Sequence, residues 1–344
     1  MRARRWLALV LAPALALPFA SPVAADPPAG IPGGPCIEGD QTVQLNSLTS
    51  HEETTQALRS IEASSQGRVS VASAGQSGEG RELWYATVGT GDDVFWIQAR
   101  IHGNELHSTE ATLQILRYLA ASGDPVASSI RANLTVVIIP MYNPDGATAN
   151  IRQSTTPLRL DLNRDWELFR QPESVDFYWL WEALRPRLAL DLHHFGQAIV
   201  EDTNLSNSFQ IGARSISPAR MTDEQWLTNR QMALIAVDAV QKLGTVNVAR
   251  YPLIDITNAV ISRMLLGGPG PDGSDPGFKT QGAIFFEVHS KGQKSNGLLE
   301  LNHLRPTVAV LAAAADESLY GHPGTGWEDI PFADGAPCGG GPDN

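Results

Sequence analysis

Apolar and polar positions alternate along the chain in two periods. Ser50-His51-Glu52-Glu53 has the form of a helix capping box. It predicts a helix to about Ser65 with Gly67 as its stop. Two strand-like runs follow, Val69 to Ser73 and Glu82 to Val88, separated by the turn-rich segment Gly75 to Gly80. Val94 to Ile101 predicts a short apolar strand, and the helix after it carries Ile115, Leu116 and Leu119 on one face. Leu134 to Pro140 is almost continuously apolar, the pattern of a strand buried on both faces. Further on come a helix over Pro172 to Arg185 and a strand over Leu188 to Leu192. A second capping box, Thr222 to Gln225, opens a helix to Leu243 that stops at Gly244. Ala283 to Val288 reads as a strand, and His303 to Leu319 as a last helix. Helices alternating with buried strands predict an α/β fold, a mostly parallel sheet sandwiched by helices. The Gly/Pro-rich run Gly267 to Gly277 reads as a long surface loop with the composition of a lid.

The ends of the chain have a different composition. Arg2, Arg4 and Arg5, the apolar run Trp6 to Ala20 and the small residues Val23-Ala24-Ala25 predict a secretory signal peptide, residues 1–25, cleaved after Ala25. Residues 26–45 read as an irregular leader, 46–320 as one folded domain and 321–344 as a Gly/Pro-rich tail. The apolar run is too short for a membrane span, and no later segment qualifies. The net charge of −12 becomes −15 once the three signal arginines are removed. That balance argues against nucleic acid or an anionic membrane as a partner. The chain has two cysteines, Cys36 and Cys338. An oxidising compartment would pair them and tie the two ends together.

Chemistry-bearing residues collect at the ends of the predicted strands. His102-Gly103-Asn104-Glu105 ends the strand that begins at Val94, and a spacing of three on a turn brings both side chains to one side. Open α/β sheets place their sites at that edge. His107 and Glu110 repeat the spacing inside the following helix and read as a helix-surface pair or as support behind the site. Asp191-Leu192-His193-His194 ends another strand. Neighbouring side chains on a strand face opposite ways, so at most one of the two histidines can join His102. Two histidines and a glutamate make the three-ligand set of catalytic zinc, with a position left open for water. Asp161 to Trp166 and Asn143-Pro144-Asp145-Gly146 are polar turns, with Arg152 between them. Glu287 ends the apolar run Ala283 to Phe286. Partial burial there would raise its pKa toward the range useful to a general base.

Gly78-Glu79-Gly80-Arg81, His102-Gly103-Asn104-Glu105, Asn143-Pro144-Asp145-Gly146, Asp161-Leu162-Asn163-Arg164, Asp191-Leu192-His193 and Phe286-Glu287 occur in this order. The pattern resembles zinc metallocarboxypeptidases of the carboxypeptidase A type over roughly residues 45–315. The resemblance implies a three-layer α/β/α sandwich around a mixed, mostly parallel eight-stranded sheet. It implies one Zn2+ per chain held by His102, Glu105 and His193. Glu287 would activate the attacking water and pass its proton to the leaving amine, and Arg152 would polarise the scissile carbonyl. Asn163 and Arg164 would bind the terminal carboxylate of a peptide substrate with a free C-terminus, and Asp161 would orient His102. The family also carries a mobile tyrosine in the loop before its catalytic glutamate. This chain has none between Asn258 and Gln281, Tyr251 is the nearest, and Arg263 is the polar alternative in that segment. Three other functions share these motifs in part: a cell-wall peptide-trimming peptidase, an aspartoacylase- or succinylglutamate-desuccinylase-like deacylase, and a non-catalytic binding protein. The signal peptide and Asn143 to Gly146 argue against the deacylases, and the full ligand set argues against the binding protein.

Overall fold

The computed structural model describes residues 48–334 except 197, 204, 244–245, 253–254 and 290–295. The expected signal peptide, the whole of the 26–45 leader, Gly244, and both Cys36 and Cys338 lie outside the described residues.

Helix α1 (His51–Ser64) is closed by its capping box. Ser50 Oγ accepts from Glu53 N, and the Glu53 carboxylate accepts from Ser50 N at 2.9 Å. Gly67 takes φ of +80°, which suits glycine and turns the chain into β1 (Val69–Gln76). There follow β2 (Glu82–Val88), β3 (Asp93–Ala99), α2 (Ser108–Ala121), α3 (Pro125–Asn133), β4 (Leu134–Ile139) and α4 (Pro144–Ala149). The second half contains α5 (Pro172–Leu184), β5 (Leu188–Phe195), β6 (Ile199–Val200), β7 (Phe209–Gly212), α6 (Asp223–Gln241), β8 (Val248–Arg250) and α7 (Val260–Leu266). β9 (Gly282–His289), α8 (Asn296–Ala315), α9 (Ser318–Gly321) and β10 (Ala333–Asp334) complete the order.

Eight strands form one mixed sheet in the order β1-β2-β4-β3-β5-β9-β7-β8. Its centre, β4-β3-β5-β9, is parallel, and β1, β2 and β7 supply the antiparallel pairings. Ile97, Leu190, Leu192, Ile284 and Phe286 point to one face, where they pack with α1, α2, α3, α6 and α8. Trp96, Ala189, Ala283 and Phe285 point to the other and pack with α5 and α7, chiefly through Phe177, Tyr178 and Trp181. This is the expected α/β/α sandwich. Burial of both faces explains why the central strands are apolar at consecutive positions.

Several expectations need correction. β5 runs on to Phe195, so both His193 and His194 lie within a regular strand. α8 starts at Asn296, not His303. Pro306, which resembles a helix opening, sits inside it, where surrounding packing outweighs the lost hydrogen bond. His107 does not lie inside α2. It is the residue before it, in the left-handed region at φ +73°, and it is fully buried. The 267–277 loop is no lid. It joins α7 to the start of β9, where Tyr178 donates to Gly268 O and Phe278 stacks on Trp181, at the edge of the sheet opposite the histidines. The short elements β7, β8 and α7 have no clear sequence signature, whereas α3 opens on an Asp124 cap followed by Pro125. The described part of the tail pairs β10 with β6.

Candidate active site

Parallel register builds the centre of the site. In β5 and β9, His193 and Glu287 are direct partners on adjacent strands. Their side chains therefore leave the sheet side by side on the same face. β3 lies on the other flank of β5, and its continuation supplies His102 and Glu105. His102 Nδ1 lies 2.5 Å from Glu105 Oε1 and 3.2 Å from His193 Nδ1, and His193 Nδ1 lies 2.8 Å from Glu105 Oε2. The three ligand atoms fall within 4.8 Å of one another, the only such group among the described residues. All three side chains are buried.

The outer nitrogens of both rings face carboxylates. His102 Nε2 lies 3.2 Å from Asp161 Oδ1, and His193 Nε2 lies 2.8 Å from Asp191 Oδ2. A carboxylate on the outer nitrogen fixes the tautomer that leaves Nδ1 free to ligate. Two Nδ1 lone pairs and a carboxylate on one point are a donor set that fits zinc. Asp191 was visible only as part of a motif. Its place two residues before His193, on the same strand face, is the signal that could have assigned it. Burial pushes the Asp161 carboxyl up, but His102, Arg152 and Arg164 outweigh it and hold the group well below its ordinary range. Burial likewise opposes the charge on Glu105, and the two histidines override it.

His194 points to the opposite face. Its Nε2 lies 2.9 Å from His303 Nε2, with the His107 ring beyond. Burial keeps all three neutral: His194 is held well below the usual imidazole range, His107 below it, and His303 at about 3. The alternation argument thus separates the two neighbours, one in the metal cluster and one in the core.

The remaining motifs are scaffold. A Cβ on Gly103 would lie 2.0 Å from the backbone carbon of Gly146, so the two turns approach as closely as only glycine permits. Asp145, beside Gly146, accepts from Ser77 Oγ at 2.7 Å and Glu79 N at 2.9 Å, and pairs with Arg81 at 2.6 Å. Gly78 in turn sits against the Thr156 carbonyl, where a Cβ would be 1.6 Å away. These contacts hold the segment that carries Arg152 over the metal cluster.

Arg152 donates to Asp161 Oδ2 at 3.0 and 3.2 Å, and its Nη1 lies 3.6 Å from Glu105 Oε1. Asp161 therefore joins His102 to Arg152. Asn163 lies on a short 3-10 turn, where its backbone N–H donates to Asp161 Oδ1 and its Oδ1 accepts from Val260 N at 3.0 Å. Arg164 donates to the Asn163 carbonyl. No carboxylate among the described residues lies within ion-pair distance of it. The neighbouring Asp165 is engaged instead with Arg170 and the backbone N–H of Gln171. Glu287 is buried, and its Oε2 finds no partner among the described residues. Burial raises its carboxyl well above the usual range, although His193 and Arg152 oppose this.

His102, Glu105, Arg152, Asn163, Arg164, His193 and Glu287 line one cleft of about 810 Å³. It also takes in Tyr251, which the sequence could not align. Burial raises the Tyr251 phenol, and Glu287 and Glu105 raise it further. Tyr251 follows a three-residue strand, too short to leave a periodic signal. Arg263 is not in the cleft. Its guanidinium lies against Gly268, just beyond the end of α7.

A buried His-Glu-His cluster beside a buried carboxylate, at the C-terminal edge of a mixed α/β sheet, belongs to the class of sites that fit a catalytic zinc ion. The comparisons with known proteins narrow the class. A profile of the family described as zinc carboxypeptidase matches residues 54–183. A probable carboxypeptidase 2 of Arthroderma benhamiae is 31% identical over 100 residues, 29% of this chain and 18% of that protein. The chain thus aligns with less than a fifth of that relative's length. Carboxypeptidase A from Helicoverpa armigera superposes with a TM-score of 0.61 at 17% identity, covering 81% of this chain and 76% of the other. A metallo-carboxypeptidase from Burkholderia cenocepacia does so with a TM-score of 0.59 at 19% identity, covering 79% and 70%. Residues 54–183 thus match the zinc carboxypeptidase family, and the fold is shared with the carboxypeptidase structures.

Proposed function

We propose that this protein is an exported zinc carboxypeptidase that removes the C-terminal residue of peptides. The observation that carries the proposal is Arg164, an arginine in the wall of the metal cleft with no carboxylate of its own. A planar guanidinium fork without an internal partner suits an incoming carboxylate. Asn163 stands beside it, fixed through Val260, and adds an amide to the same end of the cleft.

His102, Glu105 and His193 would hold the metal. Bound zinc lowers the pKa of a coordinated water toward ~7 and polarises a carbonyl. Glu287, unpartnered and with its pKa raised, accepts the proton of the attacking water and returns it to the leaving amine. Arg152, anchored by Asp161, presents its guanidinium to the oxygen on which negative charge develops. Tyr251 borders the same space. Export through residues 1–25 and a Cys36–Cys338 bridge belong to this proposal. A linked peptide pair in a non-reducing digest of exported protein supports the bridge, and two free thiols reject it.

The test couples substrate to protein. Amidating the C-terminus of a blocked dipeptide should lower kcat/KM of the wild type by about 30- to 1000-fold, the rate equivalent of roughly 2–4 kcal/mol for a lost charge-assisted contact. In Arg164→Ala the amidation penalty should shrink sharply, because the partner is already gone. Equal penalties in both proteins, measured on folded, zinc-loaded variant, would remove Arg164 from the site and favour an endopeptidase.

A further inference from the structure

Beyond the metal, the cleft has a second pole whose shape depends on one cross-strand pair. Phe285 precedes Glu287 by two residues in β9, so both side chains leave the sheet on the same face. The direct partner of Phe285 on β7 is Gly212. A Cβ on Gly212 would lie 2.1 Å from the tip of the Phe285 ring, so the ring rests on bare backbone. Tyr251 meets the same ring edge-on at 4.9 Å and 75°, and the His193 ring lies 6.2 Å away. Phe285 is thus packed on three sides, with little freedom to swing aside.

Two anchors fix where a terminal residue would sit. Its carboxylate belongs at Arg164 and Asn163, and its scissile carbonyl belongs beside Glu287 and the metal ligands. Val260 N ties the start of α7 to Asn163, so α7 borders the first anchor and β9 the second. The cleft lining also includes Ser215, Tyr251, Ile256, Ala259, Ile261 and Phe285. None of the six is acidic or basic. The nearest acidic neighbour in sequence, Asp255, turns away to Ser217 N and Arg220. A charged terminal side chain set against these six would therefore lose its water without gaining a counter-charge from them.

We infer that Phe285, seated on Gly212, sets the depth of this recess, so that the protein accepts small and medium apolar C-terminal residues and disfavours large aromatic and charged ones. This rests on the carboxypeptidase reading of the site and adds the substrate class to it.

The experiment has two readouts. The first is kcat/KM on N-acylated dipeptides ending in Ala, Val, Leu, Phe, Trp, Lys and Glu. The wild type should favour Leu over Phe by about tenfold or more, the scale at which a filled apolar pocket discriminates. Phe285→Ala should reverse the Leu-to-Phe ratio, a swing of at least about tenfold. Phe285→Leu keeps an apolar cover on Gly212 and should move the ratio part of the way, which preserves the test if the alanine variant folds poorly. The second readout is calorimetric binding of 2-isobutylsuccinate against 2-benzylsuccinate to the zinc-loaded proteins, which needs no turnover. The same inversion is expected. Turnover with an unchanged ratio in folded Phe285 variants, or a wild-type preference for Trp or Lys, overturns the inference. Size-selective succinate binding that inverts in the variant, without hydrolysis of any dipeptide, upholds the recess and faults the carboxypeptidase reading alone.

Discussion

Glu287 is a buried carboxylate with an unpartnered oxygen, next to a three-ligand cluster and paired in register with one of the ligands. Glu287→Gln preserves shape and removes the base. Zinc content and folding should persist while kcat falls by at least ~10²-fold. Near-normal turnover would move the role to another carboxylate. A second residue-scale prediction concerns stability. Glu173, in the first turn of α5, is fully buried, and burial raises its carboxyl from an ordinary 4.5 to about 7. The folded state thus binds this proton more tightly than the unfolded chain does. Stability is highest below pH ~4.5 with respect to this group and falls by about 3 kcal/mol as pH rises to 7, then levels off. Glu173→Gln should therefore gain most over wild type at pH 8 and little at pH 4.5. Denaturant titrations at the two pH values check this, and an equal difference at both would show that Glu173 does not titrate between them.

At the scale of elements, the site depends on turns that touch rather than on the strands alone. The loop after β3 carries two ligands and closes against the start of α4 through Gly103 and Gly146. Gly103→Ala must push backbone away from backbone. It should cost at least ~2 kcal/mol in stability and weaken zinc retention, because His102 and Glu105 flank the displaced residue. Thermal unfolding and metal analysis of the same sample check both effects, and a silent substitution would mean that the turns can separate without harm. Ser50→Ala, which removes the α1 capping box, should cost about 1 kcal/mol and leave the metal in place.

At the scale of the molecule, the metal ligands come from β5 and from the loop after β3, and their carboxylate supports from β5 and from the turn at Leu162–Arg164. A metal bound there couples these segments. A ligand at a thousandfold excess over its dissociation constant stabilises by about 4 kcal/mol. Removal of zinc with a chelator should therefore lower Tm by at least ~5 °C, and added zinc should restore it. His193→Ala should show neither the shift nor the recovery. Among the described residues no helix is long and apolar enough to cross a membrane, so the sheet and its two helical layers account for the burial of the apolar runs.

Local physics is legible in the sequence by itself. Capping boxes at Ser50 and Thr222, buried apolar runs such as Leu134 to Ile139, and polar clusters at strand ends each express an interaction between near neighbours, and each stands where the sequence implies. The same locality explains why His193 and His194 were known to diverge while the choice between them rested on resemblance. Which face of β5 holds the site depends on β3 and β9, which pair with it from about 90 residues away on either side. Tertiary structure alone decided that Asp191 supports His193, that Tyr251 lies in the cleft while Arg263 does not, and that the 267–277 loop packs at the opposite edge. It alone brought Phe285 onto Gly212, because cross-strand register between segments more than 70 residues apart is set by how whole faces bury and has no signature within either segment.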